Sequence, residues 1–273
     1  LNFIFMYGLG PIPELGSAGC GFATAILQWL MFIALATYVF KGTAYRKTQV
    51  FAAWEKIDPY WVKRILQLGF PIGLAIFFEV SIFSTAVIVL SPLGETLVAA
   101  HQIAISVTSQ LFMIPMSLAI ALTIRIGTYY GEKNWLAMRK VQFLGLLTGT
   151  ILAIATMALI WFFRSEIVSI YTSDYDVAQV AMYLLLFAIA YQLMDAWQVS
   201  AAGCLRGMQD TKGPMWITMI AYWVIAFPVG LYLARFTEMK AAGVWVGLIV
   251  GLTVACVLLL TRLFMINNRI KTA

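Results

Sequence analysis

Glu79 and Asp195 stand inside hydrophobic runs; the rest of the twelve acidic residues fall in loops or at the edges of such runs. A charged carboxylate at the centre of a bilayer costs about 3 kcal/mol on insertion scales. Such a residue turns toward a protein interior or a wet cavity and marks an ion or proton path. Hard carboxylate oxygens can hold Na+ or share a proton. Burial beside a second carboxylate favours the protonated form, so a paired site can load and release a monovalent cation. Tyr191 lies one turn before Asp195, on the same helical face. Gln192 and Gln198 add polar groups three residues to either side of Asp195. No Lys, Arg or His is placed mid-span to neutralise the acids structurally, which favours a functional pair over two separate structural ones.

Other residues offer weaker chemistry. His101 and Gln102 fall near the outer end of an apolar run, where the imidazole either relays protons or is hydrogen-bonded structure, and the amide is a candidate cavity wall. Asp174 and Asp176 fall in an outer loop, as a portal for cations or as a solvated turn. The Phe, Trp and Met residues would suit an adaptable apolar cavity for aromatic cations, although lipid-facing helices use them as well. No phosphate loop, metal-ligand cluster or nucleophile triad is visible. The reading is therefore of no enzyme, no cofactor and no nucleic-acid partner, and ATP-driven transport would need a separate subunit. Cys20, Cys204 and Cys256 have neither a disulfide nor a zinc spacing and read as inert thiols.

The elements that must position these groups are membrane helices. The chain is 62% hydrophobic and 11% charged, with mean hydropathy +0.90. A soluble domain carries roughly 25% charged residues. Seven stretches are long enough to cross a bilayer, near Gly16–Phe40, Ile65–Leu90, Thr96–Gly127, Val141–Phe163, Val177–Cys204, Pro214–Ala234 and Ala242–Ile266. The fold class is an all-α polytopic membrane protein. The third stretch is over-long, and Pro115 predicts a kink or break; Pro71 and Pro228 interrupt the second and sixth. Glycines four residues apart, Gly69/Gly73, Gly145/Gly149 and Gly243/Gly247/Gly251, predict close helix packing.

Charge sets the expected orientation. Segment 41–64, the loops after the third and fifth spans, and the tail hold 15 of the 18 basic residues. The positive-inside rule makes those segments, and the C-terminus, cytoplasmic. Phe51, Trp54, Ile57 and Trp61 recur at helical spacing, so 41–64 reads as a surface-lying linker. It divides residues 1–40 from a six-helix group, 65–273. The apolar start, Leu1 to Leu9, is too short to span and reads as the end of a helix whose beginning is missing.

Several motifs, in order, resemble the carboxy-terminal half of multidrug and toxic compound extrusion (MATE) transporters of bacteria. They are Pro13-Glu14-Leu15-Gly16 with Gly19-Cys20-Gly21, Leu68-Gly69-Phe70-Pro71 through Glu79, and Ala99-Ala100-His101-Gln102 with Pro115-Met116-Ser117 and Arg125-Ile126-Gly127. Tyr191 to Asp195, Leu205-Arg206-Gly207, and Tyr222-Trp223 with Phe227-Pro228 and Gly230 complete the set. The resemblance implies twelve helices in two six-helix lobes around a central cavity. Residues 1–40 would then close the amino-terminal lobe and 65–273 would form the carboxy-terminal one, with the missing amino-terminal lobe as its partner. It also implies a coupling-cation site, for Na+ or H+, at Glu79, Asp195 and Tyr191, with Gln102 and Asp174 on the substrate path. The implied activity is export of amphipathic, often cationic small molecules across a bacterial inner membrane. A lipid-linked oligosaccharide flippase of the same superfamily is the alternative, although its anionic headgroup calls for basic residues within the spans. An intramembrane aspartyl protease also needs two membrane carboxylates, but Gln192-Leu193-Met194 precedes Asp195 where that chemistry has Gly-x-Gly.

Overall fold

The computed structural model describes residues 2–8, 13–41 and 58–272, with side chains to residue 270. Phe51, Trp54, Ile57 and most of the expected linker lie outside the described residues. The chain divides into two compact units, Leu1–Pro59 and Tyr60–Ala273.

In the first unit a short helix α1 (Asn2–Tyr7) precedes α2 (Gly16–Lys41). The Leu15 amide donates to the Phe5 carbonyl at 3.1 Å, and Gly19 lets α2 sit on that same carbonyl.

The second unit is built from α3 (Pro59–Leu90), α4 (Glu95–Gly131), α5 (Trp135–Tyr171), α6 (Tyr175–Gly207), α7 (Lys212–Met219), α8 (Phe227–Phe236) and α9 (Ala241–Thr272). A π-helical segment, Ile220–Ala226, joins α7 to α8 as one span. No strand occurs among the described residues. Among the described residues seven helical spans are long and apolar enough to cross a membrane, and they overlap the seven apolar stretches one for one. Each helix outruns its apolar run, and α5 and α6 start at polar side-chain caps, Asn134 and Asp174. Asn134 accepts from the Ala137 amide at 3.2 Å to start α5. Lys133, with φ 56°, makes the left-handed turn before it. α3 starts at Pro59, so residues 59–64 are helical.

Proline does less damage than expected. α4 runs unbroken through Pro115, and α3 through Pro71. Of the kink or break expected in the third span, the break is absent. At Pro228 the effect is real but displaced: the π segment lies immediately before it. Proline lacks an N–H and crowds the carbonyl four residues back, and a wider π turn accommodates both.

α6 is the central post, packed against α4, α5 and α9. One buried cluster gathers Leu184, Leu185, Trp245 and Leu252, and a second gathers Ile126, Met138, Leu205 and Leu259. α3 makes no comparable backbone approach to another helix. It meets the bundle through side chains: Trp223 Nε1 donates to Ser81 Oγ at 3.2 Å, and Arg64 donates to Gln209 Oε1 at 2.7 Å. The glycine pairs divide accordingly. A Cβ on Gly243 or Gly247 would strike the α8 backbone, one on Gly145 would meet the Leu122 side chain, and Gly69 and Gly73 face open space. The packing expected at Gly69/Gly73 is therefore not made within the described residues.

Candidate functional site

One face of α6 carries the site. Tyr191, Asp195, Gln198, Val199, Ala202 and Arg206 follow at steps of three and four or their sums, so they form one stripe along the helix. All six line a cavity of about 470 Å³. α3 contributes Glu79 and Phe83, α4 contributes Gln102, Ser109 and Phe112, and α7 contributes Thr218, with Thr211 just before it. The two acids thus reach one chamber from helices 116 residues apart in sequence, and Glu79 acts electrostatically on Asp195.

The acids differ in company. Asp195 is buried, 6% exposed, with Tyr191 as its neighbour one turn earlier. Tyr191 has Thr108 beside its hydroxyl and stacks on Trp245, with ring centroids 5.9 Å apart at 22°. Trp245 Nε1 in turn donates to His101 Nδ1 at 3.2 Å, which puts the imidazole proton on Nε2 and leaves that atom buried without a partner. Trp245 therefore holds Tyr191 by stacking and His101 by a hydrogen bond.

Glu79 is half-buried and has Gln198 and Arg206 within electrostatic reach. The placement of Arg206, expected in the loop after the fifth span, is corrected to the last turn of α6. Arg206 falls within α6, not in the following loop, and its side chain turns back to the cavity, with Nε donating to the Ala202 carbonyl at 3.3 Å. The signal was present in the sequence. Eleven residues are almost exactly three helical turns, so Arg206 stands on the same face as Asp195. The apolar run ended at Cys204, which hid it.

Glu79, Asp195, Tyr191 and Gln102 therefore share one cavity. His101 and Asp174 are not among its lining residues. His101 is fully buried behind Trp245. Asp174 caps α6, accepting from the amides of Asp176 (2.9 Å) and Val177 (3.1 Å). Two carboxylates, a phenol, two amides and a guanidinium stand around a mainly apolar chamber, a chemistry with oxygens for a small cation and apolar walls for an amphipathic guest.

A helical bundle of membrane-crossing length with an acid-lined inner cavity defines a polytopic membrane protein with a solute or ion path. The MatE family model matches residues 71–232, and the chain belongs to that family, which is one of transporters and not of enzymes. The chain is 73% identical over 270 residues to a probable multidrug resistance protein NorM of Acinetobacter baylyi, covering 99% of this chain and 60% of that protein. It is 43% identical to the multidrug resistance protein NorM of Photobacterium profundum, covering 96% of this chain and 59% of that one. The chain thus spans about 60% of the length of the curated relatives it matches. In three dimensions it is similar to the eukaryotic MATE transporter AtDTX14, with TM-score 0.84 and 22% identity over 95% of this chain and 57% of that one. An outward-facing MATE family transporter gives TM-score 0.83 at 20% identity, over 99% of this chain and 60% of that one.

Proposed function

We propose that this chain is the cation-driven part of a multidrug antiporter, exporting amphipathic, often cationic compounds across a bacterial inner membrane with its C-terminus in the cytoplasm. Residues 65–273 act as the carboxy-terminal lobe and 1–40 as the end of the amino-terminal one, joined by the 41–64 linker. The reading rests on one observation above the others: Glu79 and Asp195, on separate helices, line a single cavity with Tyr191. Na+ or H+ enters from outside and binds between the acids. One charge moving inward across 100 mV supplies about 2.3 kcal/mol. That energy drives export only because cation and drug favour different arrangements of the lobe. Gln102 meets the drug in the cavity, and Asp174 stands at its outer exit. The names of the NorM relatives support drug export, and the absence of any need for ATP follows from the gradient.

The test uses the full-length parent in proteoliposomes loaded with a fluorescent organic cation. An imposed Na+ gradient at fixed pH, or a pH gradient at fixed Na+, is expected to drive dye movement. Dye that moves with ATP but with neither gradient would sink the reading.

Arg206 supplies a reason to keep the flippase alternative in view, since it places a fixed positive charge in the cavity. Its electrostatic attraction to Glu79 favours a counter-ion role instead. Arg206→Gln should then tighten binding of a monovalent organic cation by about tenfold at low salt, through loss of a like charge in a medium of intermediate dielectric. Equilibrium dye binding reads this. Unchanged cation affinity, with loss of binding to a lipid pyrophosphate, would favour the flippase.

A further inference from the structure

His101 is fully buried on α4, and its Nε2 has no hydrogen-bond partner. A buried donor without a partner is costly, and an apolar side chain at 101 would avoid that cost. What the imidazole gains is Trp245. The indole Nε1 donates to Nδ1 at 3.2 Å, and the two rings meet edge to face at 74°. Trp245 is itself fully buried on α9, and it also stacks on the Tyr191 ring, with centroids 5.9 Å apart at 22°. Neither His101 nor Trp245 lines the cavity, whereas Tyr191 and Asp195 both do. The contacts therefore run from α4 through α9 to the phenol on α6 that stands one turn from Asp195. An indole nitrogen is a donor only, so Trp245 has no atom that could take up a proton from either neighbour. A proton relay along this route is thus excluded, and what the route carries is position. With its N–H fixed on Nδ1 the indole keeps one orientation, and the Tyr191 ring lies against it.

We propose that His101 is a positioning residue of the site formed by Glu79, Asp195 and Tyr191. By fixing the Trp245 indole it holds the Tyr191 phenol beside Asp195, so that the coupling cation meets an oxygen already in place. Preorganisation of this kind raises affinity, because binding no longer has to order the side chain. The inference rests on the reading that the acid pair binds that cation.

The experiment compares His101→Leu, which removes the acceptor, with His101→Asn, whose Oδ1 can accept where Nδ1 stands. Both are made in the full-length parent, and efflux of the dye is measured against the concentration of the driving ion, Na+ at fixed pH or H+ at fixed Na+. The half-saturating ion concentration is expected to rise about fivefold in His101→Leu, the scale of one side chain left to be ordered on binding. It is expected to stay near the parental value in His101→Asn. Trp245→Phe keeps a ring against Tyr191 and loses the N–H. It should give the same rise, and His101→Leu added to it should give no more. Dye affinity without a gradient stays at the parental value throughout. Less stability with the parental half-saturating concentration, equal rises in His101→Leu and His101→Asn, or additive rises in the double variant would each overturn the inference. If His101→Leu fails to reach the membrane, a parental half-saturating concentration in Trp245→Phe overturns it alone. Ion-dependent thermal stabilisation of the purified protein separates the two levels. Retained in Asp195→Asn, it defeats the acid-pair reading itself; lost there but parental in His101→Leu and Trp245→Phe, it defeats only the role of His101.

Discussion

Asp195→Asn in the full-length parent is expected to lower cation-driven efflux by about a hundredfold, on the ~3 kcal/mol scale of a charged partner removed from a buried site. The substitution keeps shape and volume, and Asp195 is 6% exposed in a packed helix, so the fold has no reason to yield. Removing a membrane carboxylate lowers the cost of insertion. Membrane expression and thermal stability should therefore hold or improve as transport fails. Glu79→Gln should fail in transport as well, but with a different stability. Its loss leaves Arg206 without the acid it faces, whereas the electrostatic partner of Asp195 is Glu79 itself. A vesicle efflux assay with a melting curve for each variant reads both effects. Parental efflux in both variants would remove the acids from the mechanism.

Gly247→Ala is expected to be the most damaging single methyl in the bundle. Its Cβ would lie 2.4 Å from Gly230 Cα and 2.8 Å from the Ala226 carbonyl oxygen. Both are backbone atoms, so α8 and α9 must separate for it to fit. Overpacking of this kind costs typically 1–3 kcal/mol, and rigid neighbours place it at the upper end. Gly145→Ala provides the comparison. It meets the end of the Leu122 side chain, which can turn aside. Thermal unfolding of the purified protein should fall markedly for Gly247→Ala and little for Gly145→Ala. Equal losses would mean that backbone contact does not govern the α8–α9 seam.

The helices were legible because hydropathy is written in long blocks. Seven apolar runs gave seven spans, and the acids stood out because each is alone in its run. The stripe from Tyr191 to Asp195 could be read from helical spacing. Arg206 could not be placed by hydropathy, because a helix continues past the point where its apolar run stops. The three prolines look alike in the sequence, yet Pro71 and Pro115 lie inside continuous helices while a π segment precedes Pro228. Gly69/Gly73 and Gly243/Gly247/Gly251 share one spacing, and only the second met a partner among the described residues.

The seven-residue segment Ile220–Ala226 also changes how its span is phased. A π turn takes up an additional residue, so the faces before and after it stand about 100° out of step with an uninterrupted α-helix. Thr218 is aimed at the cavity in one frame, and Gly230 is aimed at Gly247 in the other. Deleting a single residue between 220 and 226 would restore a uniform α-helix of nearly the same length. It would also rotate the two halves against each other, so that either the cavity wall or the glycine seam lost its alignment. The span thus keeps two reading frames, and that one extra residue is what allows a single helix to serve both surfaces.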